Sequence, residues 1–260
     1  MANSPLLPTL FLAHGSPMLA LEGDAWGRAV SALALRLPPL RGILVCSAHW
    51  EAAGPMRLSS SKRPGVMHDF GGFPEELYSL DYPAPGSPEL AAEAANLLNA
   101  AGLEAELDDH RPLDHGTWVP LRYLAPGAEV PVVQLSLPRP RTPERLLAAG
   151  RALAPLRRSG VLILGSGGVV HNLRRLDWQD ASAPQPWGLA FQAWVRARLE
   201  AGDLEALADW RKAPGAAESV PTSEHLDPLF VAVGAARSSP EPVFEGWQLG
   251  SLSLESYLFA

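Results

Sequence analysis

Four short runs of the chain are apolar at most positions, the pattern of strands buried on both faces rather than the alternation of half-exposed ones. They cover residues 8–14, 42–48, 130–137 and 161–168. Between them the spacing changes. Trp26, Val30, Leu33, Ala34 and Leu37 recur every three or four residues and predict a helix stopped by Pro38-Pro39. A second helix is predicted from Pro88 to Ala101, with Ser87 as N-cap and Gly102 as its stop. Residues 142–158 and 187–210 read as further helical segments, and residues 243–259 as a final strand-like stretch. Strands alternating with helices predict an α/β fold, a single domain over residues 1–260 with a mainly parallel central sheet flanked by helices on both faces. Residues 62–88 form a long loop rich in Gly, Pro and aromatics, of the kind that carries function.

In open parallel sheets ligands bind beyond the carboxyl ends of the strands. His14, His49 and His171 fall at or just after such ends. The chain has seven histidines, the others being His68, His110, His115 and His225. An imidazole on an apolar strand end is costly without a partner, and a shared metal ion would supply one. No His-Glu-x-x-His pair is present, so a metal site would draw on separate strands. Cys46, the only cysteine, lies in an apolar run; disulfide and cysteine-zinc chemistry are excluded, and the thiol reads as packing. Gly165-Ser166-Gly167-Gly168 lacks the Lys-Ser/Thr ending of a phosphate loop and the spacing of a nucleophile elbow, which argues against nucleotide binding and serine hydrolysis.

Composition narrows the partners. A net charge of −7 with scattered arginines offers no attraction to nucleic acid. The first residues, Met1 to Pro5, do not read as a leader, and no apolar stretch approaches membrane-spanning length. A soluble, cytoplasmic protein with no membrane partner is expected.

Six segments carry a resemblance: Leu12-Ala13-His14-Gly15-Ser16-Pro17-Met18, Ser47-Ala48-His49-Trp50-Glu51, His68-Asp69-Phe70-Gly71-Gly72-Phe73-Pro74, Asp114-His115-Gly116-Thr117-Trp118, Gly165 through Leu173, and Glu224-His225-Leu226-Asp227-Pro228-Leu229. In order and over essentially the whole chain, they resemble the class III extradiol ring-cleavage dioxygenases, in particular the DOPA 4,5-dioxygenase-like branch. The resemblance implies that His14, His49 and His225 hold one divalent metal, with His171 a further ligand or an acid/base, and His115 the acid/base histidine. Fe(II) is then expected for activity, with Zn(II) as an alternative occupant of the purified protein. The substrates would be a small aromatic diol and O2, with Phe73, Trp118 and His68 as candidate substrate contacts and a homo-oligomer compatible with the sequence. His225 stands where better-known members have a glutamate, with Glu224 beside it. Two other readings stay open at this level, a zinc hydrolase and a non-catalytic metal-bound scaffold of the same fold.

Overall fold

A computed structural model describes residues 6–22, 25–178 and 183–260. Met1 to Pro5, on which the reading of a missing leader rests, lie outside the described residues. The strands are β1 (Thr9–Ala13), β2 (Gly42–Ala53), β3 (Met56–Ser59), β4 (Ala105–Asp108), β5 (Val132–Arg139), β6 (Val161–Gly167), β7 (Pro240–Phe244), β8 (Trp247–Gln248), β9 (Leu252–Ser253) and β10 (Ser256–Phe259). The α-helices are α1 (Leu19–Glu22), α2 (Ala25–Ala34), α3 (Glu75–Tyr78), α4 (Pro88–Ala100), α5 (His115–Leu124), α6 (Pro143–Leu153), α7 (Pro186–Ala201), α8 (Leu204–Ala208), α9 (Ala216–Ser219) and α10 (Asp227–Ala235).

Eight strands form one sheet in the order β4-β3-β5-β2-β6-β1-β10-β7. Its centre, β5-β2-β6-β1, is parallel, while β10 and β7 join antiparallel at one edge. The continuous apolar runs have a plain cause. Along β2, Ile43 and Val45 pack into one core with α1, α2 and α5, whereas Leu44 and Cys46 pack into the other with α4, α6, α7 and α10. Both faces are covered, so successive residues of a central strand each meet a core.

The predicted capping at Ser87 is present: its side chain accepts from the Leu90 N–H, and Gly102 follows the helix at φ 75°. Other boundaries differ. The helix predicted through Leu37 ends at Ala34, residues 142–158 divide into α6 and a 3-10 turn, and residues 187–210 divide into α7, α8 and a second 3-10 turn. Residues 243–259 are three short strands and part of β7 rather than one element. Among the described residues no helix is long and apolar enough to cross a membrane.

Candidate metal centre and substrate cavity

The parallel strands end together, and the histidines gather there. His14 follows β1 directly and is buried. His49 lies inside β2, which continues to Ala53 instead of stopping at Ala48. Its pairing with β5 jumps from Cys46–Leu135 to Glu51–Leu137, so residues 47–50 stand opposite Ser136 alone. This bulge re-aims the strand and carries His49 into the site. His225 ends a 3-10 turn (Ser223–His225) just before α10, and reaches the site because β6 is glycine-rich. A Cβ on Gly167 would lie 2.0 Å from the His225 carbonyl oxygen.

His14, His49 and His225 each offer a ring nitrogen, all within 4.8 Å of one another. The tautomers follow from the partners. Ser166 has one hydroxyl proton and gives it to the Gly116 carbonyl, so its oxygen accepts from His14 Nδ1–H at 3.0 Å. His14 Nε2 is left with a lone pair, 3.0 Å from His49 Nε2. His225 Nδ1–H donates to the Glu224 carboxylate at 3.1 Å, leaving its buried Nε2 without a hydrogen-bond partner. The lone pair of His14 Nε2 beside His49 Nε2, with the orphaned His225 Nε2 in the same group, would suit one divalent ion. The residues fit a divalent metal.

Electrostatics keep these rings in the ligating form. Burial, then the neighbouring histidines, hold His14 and His225 well below the usual imidazole value. Burial lowers His49 to about 3 and His171 to about 4, so all are neutral at pH 7.

His171 follows β6 and bridges to Leu252, its ring stacked on His225 with centroids 3.4 Å apart. It groups with Glu224 and His225, not with His14 and His49. His115 opens α5, capped by Asp114, whose side chain accepts from the Thr117 N–H. Both its backbone N–H and its Nδ1–H donate to Asp69, at 3.0 and 2.9 Å. Burial would raise Asp69, but the bonds and charge of His115 outweigh it and bring the carboxyl to about 2. Asp69 is a residue that the sequence reading left without a role, although it lies within the His68–Pro74 phrase. Asp114 is another. Wholly buried, it accepts from Ser47 at 2.7 Å and from Arg111 at 3.2 Å, and Arg111 also donates to the His49 carbonyl at 2.9 Å. One carboxylate thus joins the His49 bulge to the helix of His115.

Beside the histidines lies a cavity of about 270 Å³, whose lining includes His14, His49, His115, His171 and His225 together with Phe70, Phe73, Leu173, Trp178 and Leu249. Phe73 therefore stands where substrate contact was expected. His68 and Trp118 do not line it. His68 Nε2–H donates to the Leu80 carbonyl, Trp118 Nε1–H to the Met67 carbonyl, and both rings pack around Phe70, so they anchor the loop that brings Asp69 and Phe73 to the cavity. His110 is exposed beside Asp109, apart from the site.

Residues 8–259 match the family model described as the catalytic LigB subunit of aromatic ring-opening dioxygenase. The chain is 40% identical over 261 residues to a 4,5-DOPA dioxygenase extradiol of Escherichia coli (strain K12), covering 98% of this chain and 95% of that one. It is 39% identical over 260 residues to a protein of the same name from Portulaca grandiflora, covering 96% and 95%. The crystal structure of an uncharacterized protein, JW3007, from Escherichia coli K12 matches with a TM-score of 0.84 and 34% identity, covering 98% of this chain and all of that one.

Proposed function

Because the chain belongs to the family of the catalytic LigB subunit of aromatic ring-opening dioxygenases and is an extradiol dioxygenase, we propose that it opens a catechol-type ring at one divalent metal held by His14, His49 and His225. The observation that carries this reading is the convergence of three imidazole nitrogens on the floor of an aromatic-lined cavity, two of them freed by hydrogen bonds at the opposite ring nitrogen. When bound, the metal, Fe(II) for this reaction, supplies chelation of both catechol oxygens and the electron transfer that dioxygen needs.

The remaining work falls to the chain. Phe70 and Phe73 flank the space in which a flat ring would lie. Asp69 fixes His115 with its proton on Nδ1, which makes Nε2 the atom that takes a catechol proton and later returns it. His171, stacked on His225 and outside the triangle of ligands, is assigned to the cavity wall as a second hydrogen-bonding or proton-transferring group. Glu224 acts through His225, orienting its ring, rather than taking the ligand place of a carboxylate. DOPA-like catechols are the substrate class that the named relatives suggest.

The test is anaerobic reconstitution with Fe(II), then addition of oxygen with a panel of catechols, followed by oxygen uptake and product absorbance. Stoichiometric uptake with a coloured ring-opened product is expected. A metal-loaded protein that consumes no oxygen with any catechol would overturn the proposal.

A further inference from the structure

Arg141, a residue outside the ligand set and the cavity, touches the segments of two of the three proposed ligands. It follows β5 and is largely buried, its side chain 11% exposed. One arm of the guanidinium, NH1, donates to Glu51 at 2.5 Å. The Nε–H donates to Asp227, and NH2 lies 3.4 Å from the Ser223 hydroxyl, which itself donates to Asp227 at 2.8 Å. Glu51 stands two residues after His49; Ser223 and Asp227 stand two residues before and after His225. The bulge of β2 and the entry to α10 have no covalent proximity, and this guanidinium bridges them.

Energetics separate a positioning role from a merely stabilising one. A buried ion pair recovers little net stability after desolvation, whereas a planar guanidinium with fixed N–H directions specifies the relative placement of its partners. We propose that Arg141 is a positioning residue for the metal site, setting the separation of His49 and His225. The inference rests on the reading of His14, His49 and His225 as ligands. Arg139 supplies an internal control. It donates to the same Glu51 carboxylate through two nitrogens, but its side chain is 63% exposed and none of its hydrogen bonds reaches the His225 segment.

The experiment measures Zn(II) and Co(II) affinity of the metal-free protein by chelator competition, with the Co(II) absorption spectrum recorded in parallel. Arg141→Gln should weaken binding by roughly 10–100-fold, the scale for loss of a group that orients a ligand. It should also shift the Co(II) bands. Arg141→Lys, which keeps the charge and loses the fork, should fall between, and Arg139→Ala should match wild type. Asp227→Asn, which keeps the shape and releases one arm, carries the same expectation if Arg141→Gln fails to fold. Folded Arg141→Gln or Asp227→Asn protein with wild-type affinity and spectrum would overturn the proposal. So would equal weakening by Arg139→Ala. If His14→Ala and His225→Ala also bind metal as wild type does, the ligand assignment itself is wrong, a result separate from failure of the Arg141 role.

Discussion

At the scale of single residues, the chemistry depends on which nitrogen of each imidazole carries the proton. Ser166 and Glu224 settle this for His14 and His225, and Asp69 for His115. Replacing His14, His49 or His225 with Ala should abolish bound metal, read by elemental analysis, while circular dichroism stays that of a folded protein. His115→Ala should retain metal and anaerobic catechol binding while turnover falls by roughly 10²–10⁴-fold, the range for a lost acid/base. Asp69→Asn should follow it with a smaller loss, about 10–100-fold in kcat, because an amide holds the ring less firmly in the required tautomer. Catechol binding that fails together with turnover would instead make both residues part of the cavity frame.

Among elements, β6 lies tightly against the segment leading into α10. Cβ atoms on Gly165 and Gly167 would lie 2.3 Å from the Pro228 carbonyl oxygen and 2.0 Å from that of His225. Neither is a flexible side-chain end that could move aside, so the helix entry itself would shift. Gly167→Ala should therefore cost about 1–3 kcal/mol in urea unfolding and also reduce metal affinity. Gly71→Ala, where nothing lies within 4 Å, should do neither. Metal affinity unchanged in a destabilised Gly167→Ala protein would show that His225 tolerates movement of its backbone.

On the scale of the whole molecule, the carboxyl-terminal segment between β9 and β10 buries a carboxyl group outside the histidine motifs. Glu255 is fully buried, paired with Arg196 at 2.6 Å, and burial raises its carboxyl to about 7 from an ordinary 4.5. Between those values the folded protein holds a proton that the unfolded chain has released. This stabilising contribution is complete below about pH 4.5 and is lost as pH rises through about 7, with a slope of at most about 1.4 kcal/mol per pH unit. Glu255→Gln should remove that dependence, so its Tm should gain on wild type between pH 5 and pH 8. Parallel Tm curves would show that Arg196 keeps Glu255 ionised throughout.

The layers of the fold and the candidate ligands were legible in the sequence. The apolar runs at 8–14, 42–48 and 161–168 can be satisfied only between two cores, and the motif around each of His14, His49, His115 and His225 marks it as a candidate without coordinates. Short β3 and β4, α5 and α10 went unread. α10 is apolar on every side and buried throughout, so it lacks the one-sided periodicity that marks a surface helix. Tertiary structure alone decided what joins the histidines. The bulge at residues 47–50 is defined by the pairing of β2 with β5 on both sides of it, and Asp69, Ser166 and Arg141 gain their roles only from partners 46, 152 and 86–90 positions away. Hydrogen-bond direction at those separations is a property of packing, which no local pattern of residues encodes.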